Sequence, residues 1–202
     1  MTIKKEILVK LYLERHRSVA EIAKELNCSI YKVRYWMEIH KICCRERSEA
    51  NYHKYNPNGD PFQIRKINTL KKTKLYALSI GLFWGEGNKR NKHSVRIGNS
   101  DPIMLSYWLK FLKDICGIAS SKIHFDLQTF NDTDPTNARD FWSQQLQIPA
   151  EKIGTCQPVS PQGKGNYKRL NMHGVMTVSV HNTHFRDWML EQLYKLGYNP
   201  NL

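Results

Sequence analysis

Glu86 is the side chain whose setting most invites chemistry. It closes an apolar run at 75–87, LYALSIGLFWGEG, in which Gly81 and Gly85 stand one helical turn apart. The run predicts a helix, and an acid in its last turn sits at the negative pole of the macrodipole, where a cation is preferred. A divalent metal ion just beyond the helix end would supply that charge. Each glycine costs about 1 kcal/mol inside a helix relative to alanine, so a pair at i and i+4 calls for a reason. Lacking side chains, Gly81 and Gly85 let a second backbone approach their face. Two copies packed through them would set two Glu86 carboxylates side by side. The plainer alternative is a buried helix capped by Gly87, with Glu86 as a solvated last residue.

Other reactive groups are weaker candidates. His181 and His184 have a spacing that could hold a metal, but no matching Asn or Cys pattern surrounds them, so they read as surface histidines. Cys28, Cys43, Cys44, Cys116 and Cys156 are scattered without a C-x-x-C pair, which points to reduced structural thiols rather than a zinc site. Trp84, Trp108, Trp142 and Trp188 recur on apolar helical faces and read as core.

The global balance narrows the partners. A chain of 202 residues makes one or two domains, and 41% hydrophobic with 24% charged residues is ordinary for a soluble protein. No apolar run reaches a membrane span, and the opening MTIKKEILVK lacks a signal-peptide core. The expectation is therefore a cytoplasmic protein with no membrane partner, nucleoid-associated if bacterial. The net charge of +13 is the strongest global feature: residues 1–75 hold 17 Lys and Arg against 8 Asp and Glu, and residues 76–202 hold 14 against 10. Such an excess favours a polyanion, with nucleic acid as the default.

The elements that position these groups can be read in order. Residues 3–15 carry Ile7, Leu8, Leu11 and Leu13 on a helical period. Ser18 and Glu21 form a capping box for a second helix that buries Ile22, Ala23 and Leu26. After a short turn at Asn27 and Cys28, Ser29 caps a third helix with Ile30, Val33 and Met37 inward and Tyr31, Lys32, Arg34 and Tyr35 outward. Helix, tight turn and basic-aromatic helix make a helix-turn-helix over 1–45, similar to resolvase-like and regulator-type versions. Residues 46–74 read as a basic, turn-rich linker, with a boundary signal at Gly59, Asp60 and Pro61. Lys89, Arg90 and Lys92 surround a turn after the central helix, and a strand follows at 94–98 with Arg96 on it. Asp101 and Pro102 open a helix burying Ile103, Leu105, Trp108, Leu109 and Leu112. The segment SKIHFDLQTF alternates as a strand with His124, Asp126 and Gln128 on its polar side. A helix at 135–147, a turn-rich stretch, a strand at 174–182 and a last helix complete the chain.

The nine residues at 79–87, SIGLFWGEG, resemble the motif of the LAGLIDADG homing endonucleases. Gly81 falls on the first glycine, Gly85 on the small residue, Glu86 on the metal-binding acid and Gly87 on the last glycine. Trp84 stands at the variable acid, and Ser79 and Ile80 depart from the opening Leu-Ala. The resemblance covers 75–195 and implies helix, hairpin, helix, hairpin, helix, the four strands forming a DNA-binding saddle. Two departures stand out: the first hairpin's opening strand is squeezed into 87–92, and a helix at 135–147 splits the second hairpin. The implied fold is α+β, an N-terminal all-α helix-turn-helix domain (1–45), a linker (46–74) and a LAGLIDADG-type mixed helix/sheet domain (75–202).

The resemblance also implies roles. Glu86 and the Gly85 carbonyl would hold Mg²⁺ or Mn²⁺, Asn99 and Ser100 would organise water, and Lys168 with Arg169 would support the cleaved phosphate. Gly81 and Gly85 would form a homodimer interface. Double-stranded DNA would meet Tyr31, Lys32, Arg34, Tyr35, Lys89, Arg90, Lys92, Arg96, His124, Gln128, Lys168 and Arg169. The implied activity is site-specific, metal-dependent DNA hydrolysis. The alternative is a non-cleaving, sequence-specific transcriptional regulator on the same fold.

Overall fold

The computed structural model describes residues 2–130, 133–154, 158–159 and 173–199. The chain divides into two units, Met1–Asp60 and Pro61–Leu202. The division falls at the Gly59-Asp60-Pro61 signal, not around a long linker.

In the first unit, α1 (Lys5–Leu8) runs on into a π-helical turn (Val9–Glu14). Ser18 Oγ accepts from the Glu21 N–H at 3.2 Å while Glu21 accepts from the Ser18 N–H at 2.7 Å, so the capping box opens α2 (Val19–Glu25). Asn27 takes the left-handed conformation (φ 47°), which asparagine tolerates, and turns the chain. Ser29 Oγ then caps α3 (Ile30–Ile39) through the Lys32 N–H. Leu8, Leu11, Tyr12, Ile22, Ala23, Val33, Met37 and Ile42 make the core. Ile30 is a correction: it lies 42% exposed on the first turn of α3 instead of facing inward. Residues 47–55 are a second correction, because this part of the expected linker is a helix, α4 (Arg47–Tyr55), that buries no residue.

The second unit begins with an extended segment whose Gln63 and Arg65 N–H groups donate to the Cys116 and Ile115 carbonyls at 2.9 and 2.8 Å. Thr69 caps α5 (Leu70–Glu86), so the central helix starts within the expected linker, five residues before 75. Then come β1 (Val95–Asn99), α6 (Pro102–Asp114), β2 (Ile123–Phe130), α7 (Pro135–Leu146), β3 (Ile153–Gly154), β4 (Pro158–Val159), β5 (Val175–Val180) and α8 (Thr183–Lys195). The sheet order is β1-β5-β2-β3, with β4 pairing farther along β2. The β1–β5 and β5–β2 pairs are antiparallel, whereas β3 and β4 run parallel to β2.

The fold is thus α+β with a mixed sheet. The expected opening strand at 87–92 is replaced by a single antiparallel bridge between Gly87 and Ile97. The second pair of strands is indeed split in sequence by α7, yet β2 and β5 meet in antiparallel register across that insertion.

Alternation divides the sheet into two faces. Val95, Ile97, Ile123, Phe125, Leu127, Met176, Val178 and Val180 join one core with buried residues of α5, α6, α7 and α8. Asp101 and Asp134 cap α6 and α7, each with proline at its start. On α6 the buried set is Leu105, Trp108, Leu109, Phe111 and Leu112, and Ile103, expected inside, is 67% exposed. Trp108 and Trp142 are fully buried, but Trp84 is 40% exposed and is not core.

Candidate nucleic-acid interface

The face of the sheet turned away from the helices carries the polar members of the alternation. Register places Arg96 of β1 opposite Ser179 of β5, and Ser179 opposite His124 of β2. The next row is Gly98, Thr177 and Asp126, and Gln128 lies opposite Val175. Three residues assigned to DNA from sequence, Arg96, His124 and Gln128, therefore share one face. An added Cβ at Gly98 would come within 2.9 Å of Thr177 Oγ1, so glycine lets the two strands keep this row close.

A residue set aside as an ordinary surface histidine belongs to the same surface. His181 packs edge-on to His124 with ring centroids 4.8 Å apart, and its Nε2 lies 3.5 Å from Ser179 Oγ. Burial first, then the charges of His124 and Arg96, push its pKa below the ordinary histidine value, with Asp126 opposing. His181 follows the last residue of β5 by one position, so extending the strand alternation past Val180 puts it with Ser179 and Thr177. His184 lies instead in the first turn of α8.

At the edge of this face stands the end of α5. Gly87 leaves the helix in an extended conformation and bridges Ile97, and the Asn88 N–H donates to the Arg96 carbonyl at 3.1 Å. Glu86 is thus held one residue from the edge of β1. Its side chain is exposed and has no hydrogen bond among the described residues. The Phe83 carbonyl accepts from the Gly87 N–H, and Lys89 Nζ donates to the Trp84 carbonyl at 2.6 Å and to the Phe83 carbonyl at 3.4 Å.

Lys89 is therefore committed to the helix end, whereas Arg90 and Lys92 are exposed. Desolvation pulls its ammonium below the ordinary lysine range, and the Glu86 carboxylate opposes that pull. It supplies from within the chain a cation of the kind the α5 terminus favours. The loop behind it is fastened by Arg186, which donates to the Asn91 and Lys89 carbonyls, each at 3.3 Å. No sequence signal ties Arg186 to a loop some ninety-five residues earlier.

The opposite flank of α5 is the expected dimer face. Ala77, Leu78, Gly81, Trp84 and Gly85 are exposed, and an added Cβ at either glycine would meet nothing within 4 Å. Trp84 lies edge-on to Tyr198 at 6.0 Å. At the far end of β1 the Asn99 side chain accepts from the Asp101 N–H at 2.9 Å, beside exposed Ser100, and so helps turn the chain into α6. Lys168 and Arg169 lie outside the described residues.

As a metal site, the end of α5 offers the Glu86 carboxylate, which forms no hydrogen bond among the described residues, and the Gly85 carbonyl. That donor set fits a hard, oxygen-seeking ion that keeps most of its water. Among the described residues no three His, Cys, Asp or Glu side chains converge. In the first unit, Tyr31 is 81% and Tyr35 56% exposed, and Arg34 is exposed between them. Lys32, the remaining residue assigned to that face, is half-buried.

Comparison with protein-family models, curated proteins and solved structures finds no match. No helix among the described residues is long and apolar enough to cross a membrane.

Proposed function

We propose that the chain is a site-specific double-stranded DNA endonuclease of the LAGLIDADG homing type, acting as a homodimer with Mg²⁺ or Mn²⁺. The observation that carries this reading is the outer face of α5. Gly81 and Gly85 stand on it in open space, and Glu86 ends it exposed, with no hydrogen bond among the described residues. Within one protomer a glycine at position 81 only weakens the helix; a second α5 packed on that face gives it a purpose. A closed two-fold dimer uses the same patch twice, so both Glu86 residues would come to one end.

Glu86 and the Gly85 carbonyl would hold the metal, which when bound supplies an activated water and neutralises charge on the scissile phosphate. The chain's remaining residues bind and orient the duplex. Arg96, His124 and Gln128 would meet DNA across the polar sheet face, with Arg90 and Lys92 beside it. Asn99 and Ser100 would order water, and Lys168 and Arg169 would steady the phosphate. Tyr31, Lys32, Arg34 and Tyr35 would give the helix-turn-helix its own contact with bases and phosphates.

A second reading, a non-cleaving DNA-binding regulator, is favoured by Lys89. With its ammonium on the Trp84 carbonyl, the negative pole of α5 has a cation without any metal. Incubating the purified protein with randomised duplex DNA and Mg²⁺, then sequencing both bound and cut molecules, separates the two. A recurrent cut site supports the endonuclease, a recurrent bound but intact site supports the regulator, and no enrichment of either kind removes both.

A further inference from the structure

Resting on the DNA-binding reading, we propose that a cleft in the first unit, walled by α4, seats the sugar-phosphate strand of the duplex that α3 engages. The cleft encloses about 1230 Å³, larger than the roughly 300–1,000 Å³ of pockets that enclose drug-sized ligands. Its walls come from the turn after the π-helical segment, the start of α2, α3 and α4, all within Met1–Asp60.

Charge chooses the occupant. Five Lys and Arg side chains line the cleft against Glu14 and Glu21. Two of the five are spoken for: Arg17 pairs with Glu21 at 3.5 Å, and Arg45 donates to the Tyr12 and His16 carbonyls. Arg15, Arg34 and Lys54 are exposed and form no ion pair among the described residues. They approach from three different elements, an arrangement that suits an extended anion.

The construction of α4 supports the same occupant. A helix that buries none of its residues is not held by apolar packing. It is fastened by the His53 ring, stacked on His16 at 3.9 Å, and by the Tyr52 hydroxyl on Asp60. Lys54, on this helix, lines the cleft without contributing to the core. Arg34 ties the cleft to the base-reading face, because it lies on α3 between Lys32 and Tyr35. Arg34 lines the same cleft as Arg15 and Lys54, so a strand that touches α3 at Arg34 is already at the cleft.

The test uses the full chain and a mixed-sequence duplex, with affinity measured across a salt series. Each neutralised phosphate contributes about 0.9 to the slope of log affinity against log salt. Arg15→Gln combined with Lys54→Gln should make the slope shallower by about 1.8 with an unchanged melting transition. Glu14→Gln, which removes an acid from the lining, should tighten binding. A wild type that binds duplex with a slope and affinity insensitive to both variants overturns this proposal alone. Binding of inorganic triphosphate that the double variant loses, with its duplex slope unchanged, also overturns it in favour of a free anion. A wild type that binds no duplex overturns it together with the DNA-binding reading.

Discussion

Gly81→Ala should move fold stability and assembly in opposite directions. Gly81 lies within α5, and an added Cβ there meets nothing within 4 Å. Alanine is favoured over glycine by about 1 kcal/mol in a helix interior, so the isolated protomer should become more stable by that amount. For a chain of this size the gain amounts to about 2–4 °C in Tm. In a symmetric dimer the same methyl appears twice, and each forced into a packed interface costs about 1–3 kcal/mol. The summed cost of about 2–6 kcal/mol weakens association at least about 30-fold. Sedimentation over a dilution series reads the second effect, and thermal melts in the monomeric range read the first. A variant melting below wild type there would mean that Gly81 is needed inside the protomer. Unchanged association would place the dimer contact elsewhere, and a wild type that stays monomeric with and without DNA would remove the dimer.

Three further outcomes follow from particular contacts. Ser18→Ala breaks the capping box of α2 and should cost about 1 kcal/mol by chemical denaturation. Glu21, held below the ordinary carboxylate value chiefly by the Ser18 backbone and hydroxyl, adds stability at neutral pH that is lost as pH falls below 4.5, and the Ser18→Ala variant should show less of this loss. Lys89→Met uncovers the carbonyls ending α5 and should lower stability by about 1 kcal/mol in the same assay. His181 is held neutral below its ordinary value of 6.5 in the free chain, so acidification through that region should destabilise the free fold. DNA phosphate nearby would favour the proton, so duplex affinity should rise over the same range. His124→Asn with His181→Asn should flatten that rise, and a wild type with pH-independent affinity would count against His181 meeting DNA.

Local signals were legible where the determinants lie within a few residues of each other. Ser18 with Glu21, Ser29, and Asp101 with Pro102 open the helices they were expected to open, because a cap is satisfied within one turn. The alternation of IHFDLQTF likewise became β2 with its apolar side buried. The helix α4 was missed because it has no apolar stripe to reveal it. Ile30 and Ile103 fit the helical period but sit in first turns, where the facing element no longer covers them.

The site was legible only in part. Glu86 and the glycines declare themselves by their oddity in an apolar helix. The row of Arg96, Ser179 and His124 depends on pairing across β5, contacts too distant in sequence for any spacing rule to register. Lys89 reads as one more base in a turn, and only the fold bends it back onto the Trp84 carbonyl. That contact also changes the meaning of Glu86, whose helix pole already has a cation.

The proposed endonuclease requires that the Glu86 charge do chemistry. The direct measurement is cleavage of a selected duplex by wild type and by Glu86→Gln, each first shown to bind that duplex and to sediment alike. Glutamine keeps the size of the side chain, removes an anion from a helix C-terminus, and so leaves the fold intact or steadier by a few tenths of a kcal/mol. Wild type is expected to cut with Mg²⁺ or Mn²⁺, and Glu86→Gln is expected not to cut at equal DNA occupancy. Equal cutting by the two proteins, or an intact duplex after saturation with wild type and metal, contradicts that expectation.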